Sequence, residues 1–322
     1  MPVHAKEIGF TIDPPVSHLI ILPGRTATVP LTITTLGDPT PASITFTPFT
    51  PTGTTGEVSL VDCTEGALSS CLATSWFRIA SASGSLNAAS SKDLPGLFLT
   101  SRQPTNLTLT VSVPNDTPSG DYPISTLITG DSTSGSSGTV QMVARVGAHI
   151  IVTVLPPDGH YEQSGKILSF VPLEGMSIGL GNSRLKLYDS FDAIPLAVTI
   201  QNTGNTLIKP SGVIQSLHTS IPMRFEIVPQ YILGNMIRTL QIADTPEGTS
   251  VVLPKGFYVG TYTFETQLWL TEGSEPLVVE ATFIALPMKL MVTLLIVASS
   301  IVGLKHRKSR IQSKQNTQKN IS

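Results

Sequence analysis

The chain has 322 residues, only 13% of them charged, with a formal net charge of −2. This balance excludes the strongly basic surface that nucleic-acid binding requires. The 25 prolines and 26 glycines point to many short strands with frequent turns.

The opening residues, Met1-Pro2-Val3-His4-Ala5-Lys6, include Val3-x-Ala5, the small-residue spacing of a signal-peptidase site. The expectation is a hydrophobic leader upstream of this start, with the mature strand beginning at Lys6. Residues 26–35 then place Val29, Leu31 and Ile33 on one face of a strand. Cys63 and Cys71 flank the turn-like segment 64–70 and are the candidate disulfide. That pairing is conditional on export, with free thiols as the alternative. Leu107, Leu109, Val111 and Val113 alternate with Thr108, Thr110 and Ser112, which predicts a strand with one buried face. Residues 121–129 and 138–155 add strands on either side of a polar loop, 130–138.

Pro156-Pro157-Asp158-Gly159 marks a boundary, because paired prolines end strand pairing. Beyond it Leu196, Val198 and Ile200 alternate with Ala197, Thr199 and Gln201. Tyr262, Phe264, Leu268 and Leu270 line one face of 261–270, and 278–286 is the last strand. Both halves carry proline, then glycine, then tyrosine ahead of a strand, at 114–122 and 254–262. Tyr122 and Tyr262 are therefore expected to be structural, with ring buried and hydroxyl bonded to nearby backbone.

From Leu286 to Leu304 the chain is almost entirely apolar. As a helix it rises roughly 28 Å, close to one hydrocarbon thickness. Lys305, Arg307, Lys308 and Arg310 follow at once. Such a cluster stays cytoplasmic and orients the span, which places everything earlier outside the cell. Lys289 is the one charge inside, near an end where its stem can snorkel. A buried helix of a soluble domain and a tail anchor facing the cytoplasm are the rival readings.

The expected fold is all-β: two tandem Ig-like antiparallel β-sandwich domains, 6–156 and 157–285, a transmembrane helix, 286–304, and a basic cytoplasmic tail, 305–322. Phe10-Thr11-Ile12-Asp13-Pro14-Pro15 with Leu22-Pro23-Gly24-Arg25-Thr26, and Val111-Ser112-Val113-Pro114 with Ser119-Gly120-Asp121-Tyr122, resemble the first module of the bacterial WxL-interacting protein family. The stretches 198–205, 209–214 and 231–238 are similar to that family's membrane-proximal module. The chain departs from the family at Leu233-Gly234-Asn235, where a proline is common, and in its Cys pair. The resemblance implies a cell-surface protein that attaches to peptidoglycan and to wall-associated proteins.

No motif for chemistry stands out. The six histidines form no HExxH and no close pair, so neither a metal nor a cofactor is expected. No GxSxG elbow is present, and Gly179-Leu180-Gly181 lacks a following helix. No catalytic residue is assigned. His149, in an apolar strand, reads as a hydrogen-bonded core or edge histidine. Trp76 and Trp269 are the candidate exposed aromatic contacts, with a core position favoured for Trp76. The expected function is non-catalytic binding or scaffolding at the cell envelope, with membrane, wall glycan and surface proteins as partners. A passive spacer and an envelope hydrolase with convergent carboxylates are the alternatives.

Overall fold

The computed structural model describes residues 9–63, 69–83, 86–87, 96–131, 143–161, 163–180, 183–217, 222–242, 245–246, 248–271 and 273–319. The Val3-x-Ala5 site, most of the 64–70 segment and most of the 130–138 loop lie outside them. What is described is mostly β, in sandwich-like sheets, with a single long helix at the C-terminal end.

The first half runs β1 (Phe10–Asp13), β2 (Val16–Ile21), β3 (Thr26–Thr35), β4 (Thr40–Thr52), β5 (Glu57–Leu60), α1 (Ser69–Ala73), β6 (Phe77–Ala82), β7 (Leu86–Asn87), β8 (Gly96–Leu99), β9 (Pro104–Ser112), β10 (Gly120–Asp131) and β11 (Val143–Val154). One sheet has the order β1-β3-β9-β6 and the other β2-β11-β10-β4-β8-β7, with β5 on β4. The alternating residues explain the packing. Val29 lies opposite Leu109 and Leu31 opposite Leu107 across β3 and β9. These four join Ile124, Ile128, Ile150 and Val152 of the other sheet in one buried core. The chain changes sheets early: β1 pairs antiparallel with β3, whereas β2 pairs parallel with β11. Pro14 and Pro15 sit at the crossing, where a missing N–H costs no ladder bond.

The second half repeats this plan. It runs β12 (Gly165–Pro172), β13 (Met176–Leu180), β14 (Ser183–Asp189), β15 (Ile194–Asn202), β16 (Ser211–Leu217), β17 (Arg224–Ile227), β18 (Ile237–Leu240), β19 (Val251–Leu253), β20 (Gly260–Trp269) and β21 (Leu277–Leu286). The sheets are β12-β15-β18, with β19 on β15, and β13-β14-β21-β20-β16-β17. Here too an early strand, β14, pairs parallel with the last one, β21. Leu196, Val198 and Ile200 meet Phe264, Leu268 and Phe283 in a second core.

The tyrosine corners are present, with one change of residue. The Tyr122 hydroxyl donates to the Pro118 carbonyl at 2.9 Å, and its ring is buried against Trp76, 4.8 Å between centroids. In the second half the equivalent bond comes from Tyr258, which donates to the Pro254 carbonyl at 2.8 Å. Both are Pro-x-Gly-x-Tyr. Tyr262 instead stacks on Phe283 and accepts from the Val259 backbone N–H. The hydroxyl role expected of Tyr262 therefore belongs to Tyr258, four residues from its proline, as Tyr122 is from Pro118.

The C-terminal boundary also moves. Leu286 is the last residue of β21, paired with Asp189, and the helix α2 spans Met288–Lys319 without a break at Leu304. Pro287 ends the pairing and its carbonyl accepts the first helical bond, from the Met291 N–H. Lys305 lies on this helix, and the side chains of Arg307, Lys308 and Arg310 lie outside the described residues.

Leu109 is fully buried at the centre of the first core, so Leu109→Ala should lower stability by about 2–5 kcal/mol in urea unfolding. Tyr122→Phe, which loses one hydrogen bond, should cost about 1 kcal/mol. A cost of zero for Tyr122→Phe would remove the corner from the account.

Candidate functional site

Three places gather unusual side chains: the contact between the halves, the base of the helix, and the disulfide corner. At the first, Phe49, Ile151, Leu207 and Leu233 form a small buried cluster of their own, drawn from both halves. Asp121, at the start of β10, stands beside it. Its Oδ2 accepts from the Gly234 N–H at 2.9 Å and its Oδ1 from the Thr153 hydroxyl at 2.7 Å. The Thr153 oxygen lies 2.9 Å from His18 Nε2. Because Thr153 donates to the carboxylate, it accepts from His18, which sets the proton of the neutral imidazole on Nε2. The His18 ring meets Tyr231 edge-on at 5.8 Å, and the Lys209 ammonium sits 4.7 Å from the centroid of the Tyr231 ring.

Backbone completes the junction. The Thr239 N–H donates to the Thr54 carbonyl at 2.8 Å across the halves, and within the second half the Asn235 N–H donates to the Gly204 carbonyl at 3.0 Å. Gly234 touches the Asn205 backbone so closely that a Cβ there would come within 2.5 Å of it. His149 on β11 bonds Ser125 Oγ through Nδ1 at 2.8 Å and packs on Phe49 at 4.5 Å. A cavity of about 270 Å³ opens alongside, with Arg238, Gln230 and His149 among its lining residues.

The ionisation states follow from burial. Burial pushes the Asp121 carboxyl above its usual range, and the bonds from Thr153, Gly234 and Leu207 pull it partly back. His18 is pushed down by burial and then by Lys209; His149 is pushed down by burial alone.

At the helix base Asp189 is buried and acts as a cap supplied from another element. Its Oδ2 accepts from the Lys289 N–H at 2.7 Å and its Oδ1 from the Phe191 N–H at 3.1 Å. The Lys289 N–H holds this carboxyl below its ordinary range. The Lys289 ammonium pairs with Asp192 at 2.5 Å. Phe191 and Phe257 project beside this base, 43% and 63% exposed, with centroids 5.3 Å apart. From Met288 to Lys305 the helix is long and apolar enough to cross a membrane, and none of that stretch is buried among the described residues.

The structure places Cys63 and Cys71 in a disulfide, with Cα atoms 5.7 Å apart, at the entry to α1. The 3-10 turn Thr74–Trp76 follows, and it delivers Trp76 into the core at 6% exposure. Trp76 is thus no exposed contact: its indole fills the space beside Tyr122. Trp269 ends β20 half-buried, opposite Ser211. Among the described residues no group of three or more His, Cys, Asp or Glu could hold a metal ion. Asp121, His18 and Arg238 escape sequence reasoning, since each depends on partners from a distant part of the chain. A faint signal exists for Asp121, a carboxylate placed within the Pro-x-Gly-x-Tyr corner.

No family model matches the chain, and no curated protein matches it. Among solved structures, the class 5 fimbriae chaperone CfaA is similar over 86% of this chain and all of its own, at 11% identity and TM-score 0.39. The E. coli chaperone DraB is similar over 84% and 98%, at 12% and 0.36. A family 123 glycoside hydrolase from Clostridium perfringens is similar over 46% of this chain and 27% of its own, at 12% and 0.28. At such values none of these likenesses assigns a family, a partner or an activity.

The histidine shifts predict a pH dependence. A depressed folded pKa means the native state prefers the neutral ring. The stability contributed by His18 and His149 is therefore present above about pH 6.5 and lost as pH falls through their lower folded values. Asp121 has the opposite sign: its contribution is present below about pH 3.9 and lost as pH rises through the raised folded value. Thermal melting between pH 7 and pH 5 should show a falling Tm that flattens in the His18→Asn, His149→Asn double variant. An unchanged slope in that variant would locate the sensitivity elsewhere.

Proposed function

We propose that the chain is a membrane-anchored, non-catalytic binding or scaffolding protein of the bacterial cell surface. In this reading two tandem Ig-like sandwiches, 6–156 and 157–285, stand outside the cell on a single span. The observation that carries it is the helix base. An apolar helix that packs on none of the other described residues along its apolar stretch leaves the second half through a capped, ion-paired collar rather than a free linker. A capped helix start transmits orientation, whereas a flexible tether would not. Exposed Phe191 and Phe257 stand beside that exit, where aromatic rings favour the interface of a bilayer. The cationic cluster after Leu304 supports a cytoplasmic C-terminal end.

The binding role rests on the strand edges. In the second half β17 and β13 end one sheet, and β12 and β18 end the other. An edge offers unpaired backbone groups to an added strand. Peptidoglycan and wall-associated proteins are the partner classes implied by the resemblance of the chain to WxL-interacting proteins. The passive spacer is the second reading, favoured by the buried contact that joins the halves.

Two experiments test this. The detergent-solubilised chain should be retained by purified wall material or co-purify with envelope proteins; retention by neither would leave the spacer. In vesicles, Phe257→Trp should add a fluorescence component quenched by brominated lipid, with residues before Met288 open to protease on one side only. A component that stays unquenched would place this end of the sandwich clear of the bilayer.

A further inference from the structure

The larger sheet of the second half has an outer face whose composition solubility alone does not explain. Along β20 the residues alternate between core and outside. Phe264, Thr266 and Leu268 are buried, while Thr263, Glu265, Gln267 and Trp269 lie on the other side. The register sets their neighbours. Ser211 of β16 stands opposite Trp269 and Gln215 opposite Glu265, with Glu280 of β21 opposite Glu265 on the other flank. On β17, Arg224 pairs with Gln215 and Glu226 with Val213. Four adjacent strands thus carry one polar lattice with an indole at its end.

These strands contain no lysine. A surface needs only scattered charge to stay in solution; here amides and a carboxylate fix one another instead. Gln215 donates from Nε2 to Glu265 Oε1 at 3.1 Å, and Gln267 donates from Nε2 to the same oxygen at 2.6 Å. Each amide is thereby oriented with its carbonyl oxygen turned away from Glu265. Gln215, Glu265, Gln267 and Trp269 are all partly exposed, so a molecule lying on the sheet reaches them.

Fixed acceptors call for a ligand rich in O–H donors, which a sugar ring supplies at several positions. The apolar C–H face of a pyranose packs on the flat, electron-rich face of an indole. From Trp269 to Thr263 the strand covers about 20 Å at about 3.4 Å per residue, room for several rings in line. Charge narrows the class further. Glu226, Glu265 and Glu280 stand against one cation, Arg224, so this face repels a polyanion.

We infer that the outer face of β17, β16, β20 and β21 is a docking surface for an extended neutral glycan chain. Trp269 stacks on one ring, and the Gln215, Glu265 and Gln267 cluster accepts from the hydroxyls of the next. The inference rests on the reading of the chain as a non-catalytic binder and adds where, on the second half, a glycan sits.

Titrating the intact protein in a non-glycosidic detergent with chitohexaose and with cellohexaose, while following tryptophan emission, tests it. The chain has 2 tryptophans, and Trp76 is buried in the other half, so a saturable change reports Trp269. At least one of these neutral sugars should saturate below about 10 mM. The tighter of the two tells whether acetamido groups are read. Heparin should not compete. By calorimetry, Trp269→Ala should weaken binding about tenfold or more at unchanged Tm, and Trp269→Phe should restore most of it. Gln267→Ala, which keeps the indole, should also cost about tenfold. Saturation by neither sugar, binding that leaves the emission unchanged, or tighter binding of heparin overturns the inference. Retention on purified wall material without saturation by either sugar overturns this surface and leaves the broader binding role standing.

Discussion

A carboxylate taken out of water has to be given donors, and at Asp121 those donors come from both halves of the chain. Thr153 belongs to the same sheet as Asp121, whereas Gly234 and Leu207 belong to the other half. Separating the halves would strip two backbone donors from this half-buried carboxyl, while the Leu207 and Gly234 amides would need new acceptors. The apolar cluster of Phe49, Ile151, Leu207 and Leu233 is likewise drawn from both halves. The contact is therefore more than two surfaces in touch. It makes the relative placement of the halves part of the folded state, and the cavity beside it exists only in that placement.

At the opposite end, the same physics fastens the helix. Asp189 caps an N–H of α2 from within the second half, and Asp192 holds the Lys289 ammonium. The Ser190 N–H donates to the Leu286 carbonyl, and the Ser190 carbonyl accepts from Tyr258 N–H, so the turn is locked to β21 on one side and to the second tyrosine corner on the other. Two aspartates three residues apart thus link a sheet to a helix. A junction between the halves and a collar at the base together give a stiff body, suited to holding a binding surface at a fixed distance from where the helix leads.

Much of the sheet structure was legible from residue order. The alternation in 26–35, 107–113 and 196–200 survives as β3, β9 and β15, because one buried face leaves a period of two that any register must respect. The apolar C-terminal stretch was equally plain, yet its start was misplaced by two residues, since Leu286 is apolar for its sheet and not for the helix. In the second half Tyr258 and Tyr262 both follow a glycine near a proline. Only the four-residue reach of the hydroxyl separates them. The junction was not legible at all: Asp121 and Gly234 are 113 residues apart, and nothing local distinguishes a turn aspartate from one that holds two halves together.

The most direct measurement is the distance between the halves in solution. Spin labels at exposed Arg78 and Glu280 report one position in each. Pulsed electron resonance should give a single narrow distance distribution, which broadens when Asp121 is changed to Ala. A broad distribution in the unaltered protein would mean the halves move independently, and that the Asp121 carboxyl does not hold them.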